Sequence, residues 1–200
     1  MKKIAVVAYP FGLDNESIRK LKKFFKVKFY NSSLLPDSKK LNKIIYNVEG
    51  VIAGTEIYDK KILSKNKRLK IISRVGIGLD SIDLNYAQKK KILVCSTPDA
   101  PSQSAAEVTI AKIFNILKNI TISVNHVKNK NWLRLPHNDY KDLSIGVIGV
   151  GRIGTKVVNI LKNFPFKKIY INDIDKKKIK FKNKRIFFLS KTQLLKKSDL

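Results

Sequence analysis

Six residues in the second half of the chain, 149–154 with the sequence GVGRIG, carry the clearest chemical signature. They follow an apolar run and open a helical pattern at residues 152–163, so they predict a turn between a buried strand and a helix. Gly149 would permit a tight turn, Gly151 would let the backbone approach a pyrophosphate, and Gly154 would let helix and strand pack closely. The helix would direct its positive end at those phosphates, which is typical of a dinucleotide site.

A dinucleotide site of this kind also has an acidic residue at the end of the next strand, and Asp173 is at that position. Asp173 follows a strand-like run at residues 168–171, about 20 positions after the glycines. A carboxylate there accepts hydrogen bonds from ribose hydroxyls and repels a 2′-phosphate, which favours NAD over NADP. The lysines at residues 176–178 are close enough in sequence to bind that phosphate, so NADP remains the alternative. A strand–helix–strand unit that binds no dinucleotide is the other interpretation left open.

Short apolar runs alternate with helical patterns along the whole chain, which predicts an α/β protein with parallel sheets covered by helices on both faces. The predicted strands are residues 4–8, 27–30, 51–53, 69–73, 92–95, 144–148, 168–171 and 186–189. The predicted helices are residues 15–25, 38–47, 59–64, 84–90, 105–120 and 152–163. Ser104 and Glu107 have the spacing of a capping box at the start of the longest helix.

Two prolines mark the expected boundary between domains. Pro98 and Pro101 cannot join a regular hydrogen-bonded ladder, and they precede the longest predicted helix. We therefore predict a first domain at residues 1–98, with five strands, and a second domain at residues 99–200, with three. Binding sites favour domain interfaces, so a cleft between the two is where we expect the chemistry.

The chain has 42 Lys and Arg residues against 15 Asp and Glu residues, and its net charge of +27 raises the question of nucleic-acid binding. The excess is shared almost evenly between the two halves. The one dense run, residues 176–185, lacks a helix-turn-helix, zinc-ligand or aromatic-repeat context, so no nucleic-acid partner is expected. The single cysteine, Cys95, and the absence of a spanning apolar run predict a cytoplasmic protein without a membrane partner. No metal site is expected.

Together these segments resemble the D-isomer-specific 2-hydroxyacid dehydrogenase family. The resemblance is carried by residues 74–83 (RVGIGLDSID), Thr97-Pro98 with residues 105–107, the turn at 149–154, and Asp173. It implies a flavodoxin-like substrate domain followed by an incomplete Rossmann NAD-binding domain. It also implies an NAD-dependent oxidoreductase that interconverts a D-2-hydroxy acid and its 2-keto acid by hydride transfer. Phosphoglycerate, glycerate and lactate are all compatible substrates.

The resemblance also implies how a small-molecule 2-hydroxy acid would be bound. The loop Gly76-Ile77-Gly78 would present backbone amides to the substrate carboxylate and lie beside the nicotinamide. Arg74 would suit an acidic or phosphorylated substrate through charge-assisted hydrogen bonds. Asp83 is expected to have a structural role as the cap of the helix that follows it.

The same resemblance implies that the pyrophosphate of NAD lies next to the glycine turn and that its ribose lies next to Asp173. The residues expected to contact the cofactor are Ile77, Gly149, Gly151, Arg152, Ile153, Gly154 and Asp173. The family's catalytic arginine, glutamate and histidine come after the segment that residues 194–200 resemble, so no catalytic residue is expected in this chain. Family members are usually dimers through the nucleotide domain, which implies a homodimer.

A second class of function stays open. The chain would then be a non-catalytic NAD(H)-binding module, or a relative of the dehydrogenase-like transcriptional corepressors that share this fold. The missing catalytic set and the high positive charge favour this alternative. Salt-dependent binding to duplex DNA would distinguish it from the enzyme.

Overall fold

The structure is a computed structural model that describes residues 1–137, 139–175 and 181–200. The chain divides into two compact units, Met1–Ala100 and Pro101–Leu200. The boundary predicted after Pro98 lies close to this division. Residues 176–178, the lysines that keep NADP as an alternative, lie outside the described residues. Within the described part of the chain, no helix has both the length and the apolar character needed to cross a bilayer.

The first unit is a five-stranded parallel sheet with the strand order β2-β1-β3-β4-β5. This is the flavodoxin-like order, in which the strand order reverses at β1 and β3. The strands are β1 (Lys2–Val6), β2 (Phe25–Phe29), β3 (Gly50–Ala53), β4 (Ile71–Arg74) and β5 (Leu93–Ser96). The helices are α1 (Tyr9–Gly12), α2 (Asn15–Lys22), α3 (Ser38–Ile45), α4 (Lys60–Lys65) and α5 (Leu84–Lys89).

Aspartates begin four helices of the first unit. In each of these helices the carboxylate of the N-cap aspartate accepts a hydrogen bond from a backbone N–H of the first turn. The aspartates are Asp14 at α2, Asp37 at α3, Asp59 at α4 and Asp83 at α5. Such caps satisfy amides that have no partner inside the helix. The bond from Tyr86 N to Asp83 Oδ1 is 2.9 Å long and confirms the structural role predicted for Asp83.

The core of the first unit forms where the sheet meets its helices. Val51 and Ile72 of the sheet pack in one cluster with Leu41 and Ile45 of α3 and Ile62 of α4, all 2% exposed or less. Burial of such side chains stabilises the sheet and keeps its strands in register. Because all five strands are parallel, their carboxyl ends lie at one edge of the sheet, where the loops that could bind a ligand begin.

The second unit has a three-stranded parallel sheet with the order β6-β7-β8, which corresponds to one half of a Rossmann sheet. The strands are β6 (Ser144–Ile148), β7 (Lys168–Asn172) and β8 (Ile186–Phe188). The helices are α6 (Ser102–Leu117), α7 (Ile120–Lys128), α8 (Arg152–Leu161) and α9 (Lys191–Lys197). Val158 and Leu161 of α8 pack with Ile145 and Ile169 of the sheet, all almost fully buried. The two parallel sheets with their helices confirm the predicted α/β class.

The capping box predicted at Ser104 and Glu107 is wrong. Helix α6 begins at Ser102 with Pro101 at the N-cap position, and no side chain caps it. The fixed φ of proline suits the start of a helix, so the helix begins earlier and Ser104 lies inside its first turn. A capping box does form at Ser190, where the first turn of α9 begins.

The single helix predicted at residues 105–120 is also wrong, because the structure has two helices there. Helix α6 ends at Leu117 and α7 begins at Ile120. Asn119 between them has a φ of 53°, which lies in the left-handed region and cannot continue a right-handed helix. Asparagine is one of the few residues that adopt this conformation readily, so the break is encoded by the residue type.

Arg185, directly before β8, binds the segment that joins α8 to β7. Its guanidinium donates hydrogen bonds to the carbonyl oxygens of Lys162, Phe164 and Phe166 at 2.9, 2.8 and 3.1 Å. These carbonyls follow the last turn of α8, where backbone acceptors lack helical partners. One charge of the basic run at residues 176–185 is therefore engaged within the protein.

Replacing Arg185 with methionine should lower the free energy of unfolding by about 1.5–3 kcal/mol, because three backbone acceptors lose a charged donor. Urea unfolding followed by circular dichroism measures this loss. Lys184→Met is the matched control, since Lys184 is exposed on the neighbouring position and its replacement should change the stability by about 0.5 kcal/mol or less. Equal losses in the two variants would contradict the assignment.

Candidate functional site

The glycine turn, residues 149–154, joins β6 to α8, and its three glycines differ in their surroundings. Gly149 has a φ of 89°, a left-handed conformation that favours glycine. A Cβ at Gly154 would lie 1.9 Å from the Gly149 carbonyl oxygen, so the start of α8 packs against the turn too closely for a side chain. A Cβ at Gly151 would meet nothing within 4 Å. The turn is therefore closely packed at Gly154 and open at Gly151.

Asp173 lies directly beside this turn, at the carboxyl end of β7. Its Oδ2 accepts a hydrogen bond from Val150 N at 2.6 Å, and its Oδ1 accepts one from Asp175 N at 2.8 Å. Gly149 N donates to Asn172 O at 2.8 Å, which extends the pairing of β6 with β7 into the turn. The structure thus brings Asp173 to the glycine turn. Its bond to Val150 is a contact that the sequence spacing does not reveal.

The start of α8 completes this group of residues. Gly151 is the N-cap residue, no side chain caps the helix, and Arg152 and Ile153 form the first turn. The positive end of the helix dipole lies at the turn, which favours an anion there. Ile153 is 37% exposed. Together with Gly149 and Gly154 it borders a cavity of about 440 Å³, which is otherwise lined by residues of β6, α6 and α8 and by Leu200. The open backbone at Gly151 and the start of α8, rather than this cavity, are what can accommodate a phosphate.

The other predicted residues follow β4 in the first unit. Gly76 has a φ of 142°, its N–H donates to Thr97 Oγ1 at 2.8 Å, and its carbonyl accepts a bond from Thr97 N at 2.9 Å. These bonds hold the loop against the segment after β5. Among the described residues, none accepts a hydrogen bond from the N–H of Ile77 or Gly78. The loop amides that can bind an anion without breaking a bond are therefore those of Ile77 and Gly78.

Arg74 and Glu56 lie close to this loop, and Glu56 is the residue that the sequence analysis missed. Glu56 is only 4% exposed, and its Oε2 accepts hydrogen bonds from Gly54 N at 2.8 Å and from the Tyr58 hydroxyl at 3.4 Å. Burial raises the pKa of the Glu56 carboxyl above its usual value, although these two bonds and Arg74 oppose the shift. Arg74 Nη1 donates to Val75 O, and its Nε is buried without a partner among the described residues.

Comparison with known proteins identifies the family. The family model described as D-isomer specific 2-hydroxyacid dehydrogenase, catalytic domain, matches residues 5–194. The D-3-phosphoglycerate dehydrogenase of Methanocaldococcus jannaschii is 36% identical over 116 residues, which are 57% of this chain and 22% of that protein. A putative 2-hydroxyacid dehydrogenase of Staphylococcus aureus is 28% identical over 177 residues, which are 85% of this chain and 55% of that protein.

Solved structures have the same architecture. The D-lactate dehydrogenase of Aquifex aeolicus, complexed with NAD and lactic acid, is 29% identical, has a TM-score of 0.74, and is matched over 98% of this chain and 59% of its own. A Thermus thermophilus protein, 22% identical with a TM-score of 0.84, shares the fold over 98% of this chain and 62% of its own. The chain thus spans less than two thirds of these relatives. Since the family model matches nearly every residue, the chain belongs to the D-isomer specific 2-hydroxyacid dehydrogenase family.

Proposed function

We propose that this chain supplies the substrate-binding and NAD-binding parts of an oxidoreductase that interconverts a D-2-hydroxy acid and its 2-keto acid. The observation that carries the proposal is the meeting of Asp173 with the glycine turn, where the carboxylate lies 2.6 Å from Val150 N. A strand, a glycine turn and a helix with an acidic residue at the end of the next strand form the arrangement that binds a dinucleotide.

The residues of the second unit fit a dinucleotide. The open space at Gly151 leaves room for a pyrophosphate against the backbone, and the uncapped start of α8 favours its negative charge. Arg152 and Ile153, in the first turn of α8, would flank it. When bound, NAD supplies a nicotinamide ring that accepts or donates a hydride. The residues of this chain would bind and orient it.

The preference for NAD over NADP rests on Asp173. Its carboxylate would accept hydrogen bonds from the ribose hydroxyls and would repel a 2′-phosphate at the same position. The two backbone N–H bonds that it accepts, from Val150 and Asp175, hold its carboxylate beside the turn. NADP remains the alternative through the lysines at residues 176–178.

The substrate would bind in the first unit at the loop after β4. The Ile77 and Gly78 amides would receive the substrate carboxylate, Ile77 would also face the cofactor, and Arg74 would add positive charge next to the loop. Gly76, whose N–H is engaged by Thr97, would hold the loop in shape. The identity of 36% with a D-3-phosphoglycerate dehydrogenase makes 3-phosphoglycerate one candidate, and glycerate and lactate are the others.

Titration of the purified chain with NADH, followed by nicotinamide fluorescence, tests this proposal. We expect saturable binding of NADH and weaker binding of NADPH. No catalytic residue is assigned within the chain, so we expect weak or no turnover of 2-keto acids by the chain alone. No binding of either cofactor would overturn the proposal. Salt-dependent binding to duplex DNA without NADH binding would instead support a corepressor-like module.

A homodimer in the cytoplasm remains a prediction from the family resemblance. Five large apolar side chains of α6 and α7 are between 48% and 60% exposed, which suits a helical interface. They are Val108, Ile116, Ile120, Ile122 and Val127. Exposed apolar side chains often mark surfaces that associate when they form one patch.

A further inference from the structure

A cavity of about 380 Å³ lies at the carboxyl ends of β1, β3 and β4 in the first unit. The strand order reverses at β1 and β3, and open α/β sheets bind ligands at such a point. Glu56, shortly after β3, and Arg74, at the end of β4, both line this cavity. Val75 also lines it and leads directly into the loop at residues 76–78, which we propose as the substrate loop. The cavity therefore adjoins the place where the substrate carboxylate would bind.

Two opposite charges line this cavity without a direct ion pair between them, although the charge of Arg74 opposes the rise in the pKa of Glu56. Among the described residues, Arg74 forms no ion pair with Glu56, and its Nη1 donates to Val75 O instead. The Glu56 carboxylate is held by Gly54 N and the Tyr58 hydroxyl, so it stays at the wall rather than turning to solvent. A ligand in the cavity would meet one cation and one carboxylate at separate positions.

We propose that Glu56 determines which substituent a bound 2-hydroxy acid can carry, favouring an uncharged hydrogen-bond donor such as a hydroxyl and disfavouring a second negative charge. This inference rests on the proposed function, because it assumes that the substrate carboxylate binds at the adjoining loop. Arg74 can balance one negative charge on the ligand. A phosphate would add further negative charge next to a buried carboxylate, where repulsion is weakly screened.

The proposal also predicts that ligand binding depends on pH, because Glu56 loses its charge when it is protonated. The titratable and charged groups around it are Tyr58 beside it, Arg74 on β4 and Tyr9 of α1, which lines the same cavity. Burial raises the pKa of Glu56, so the carboxylate gains a proton at a higher pH than an exposed glutamate does. The repulsion of a dianion should therefore weaken as the pH falls through this raised pKa and return as the pH rises.

Binding of three acids to the full chain tests the proposal. D-glycerate, D-lactate and D-3-phosphoglycerate would be titrated at neutral pH, with the Ile77 and Gly78 amides followed by NMR. Wild type should bind glycerate more tightly than lactate or 3-phosphoglycerate. The Glu56→Gln variant keeps an acceptor for Gly54 N but has no charge, so it should bind 3-phosphoglycerate roughly tenfold more tightly and lactate with little change.

A gain of affinity cannot come from misfolding, which makes Glu56→Gln an informative variant. Glu16→Gln, the same change at an exposed site on α2, should leave all three affinities unchanged. Sulfate stays a dianion throughout a titration from neutral to mildly acidic pH. Its affinity for wild type should rise as the pH is lowered. Its affinity for the Glu56→Gln variant should rise less, because the protonation of Glu56 no longer contributes.

The outcomes separate this inference from the function it rests on. If glycerate and lactate bind at the loop but Glu56→Gln leaves the affinity for 3-phosphoglycerate unchanged or lower, the role of Glu56 is overturned and the proposed function stands. If none of the acids perturbs the Ile77 or Gly78 amides at any concentration, the substrate half of the proposed function fails, and the role of Glu56 fails with it.

Discussion

Replacing Gly154 with alanine is expected to destabilise the second unit and to abolish detectable NADH binding. The added Cβ would lie 1.9 Å from the Gly149 carbonyl oxygen, which belongs to the backbone and cannot rotate away. Relief requires α8 to move from the turn, and overpacking of this kind costs about 1–3 kcal/mol. Urea unfolding measures the loss, and hydrogen exchange should confine it to residues 101–200. NADH titration measures the binding.

Gly151→Ala is the matched control, because a Cβ at Gly151 meets nothing within 4 Å. Its φ of −75° suits alanine, so the free energy of unfolding should change by no more than about 1 kcal/mol. NADH binding should still weaken, because the methyl group would occupy the space left for the pyrophosphate. A stable Gly154→Ala variant that binds NADH normally would contradict the role given to the turn.

Replacing Asp173 with asparagine should weaken NADH binding roughly tenfold or more, because a charged hydrogen bond to the ribose contributes about 1.5–3 kcal/mol. It should also narrow the preference for NADH over NADPH, because the charge that repels the 2′-phosphate is gone. Parallel fluorescence titrations with both cofactors measure the two effects.

Asp175→Asn is the control for this variant. Asp175 interacts with Asp173 through its backbone N–H, which the substitution preserves. The two variants differ in charge from wild type by the same amount, so a general loss of negative charge would affect both. If Asp175→Asn changes the cofactor preference as much as Asp173→Asn does, the selection of NAD by Asp173 is wrong.

Local sequence patterns predicted much of the fold. The run of residues 144–148 became β6 with the same bounds, because a short, largely apolar run that ends at a glycine turn is typical of a strand. Strand β1 was predicted to reach Ala8 but ends at Val6, since Pro10 lies in the first turn of α1. Helix α7 was missed because its apolar pattern continues that of α6, and only the conformation of Asn119 separates the two.

The part of the candidate site that a short stretch of sequence encodes was predicted. The glycine turn and Asp173 have a fixed spacing that follows from one strand–helix–strand unit. Glu56 has no such signal, because a lone carboxylate in a sequence is usually a solvated charge and its burial depends on packing around it. The engagement of Gly76 N by Thr97, 21 positions later, depends on the pairing of β4 with β5 and is equally invisible to local patterns.

NADH titration followed residue by residue by NMR tests directly whether the glycine turn and Asp173 form an NAD site. The largest shifts should fall on the amides of residues 149–154 and on Asp173, and they should saturate with the same affinity as the fluorescence signal. Shifts confined to other residues, or shifts that grow without saturation, would contradict an NAD site there.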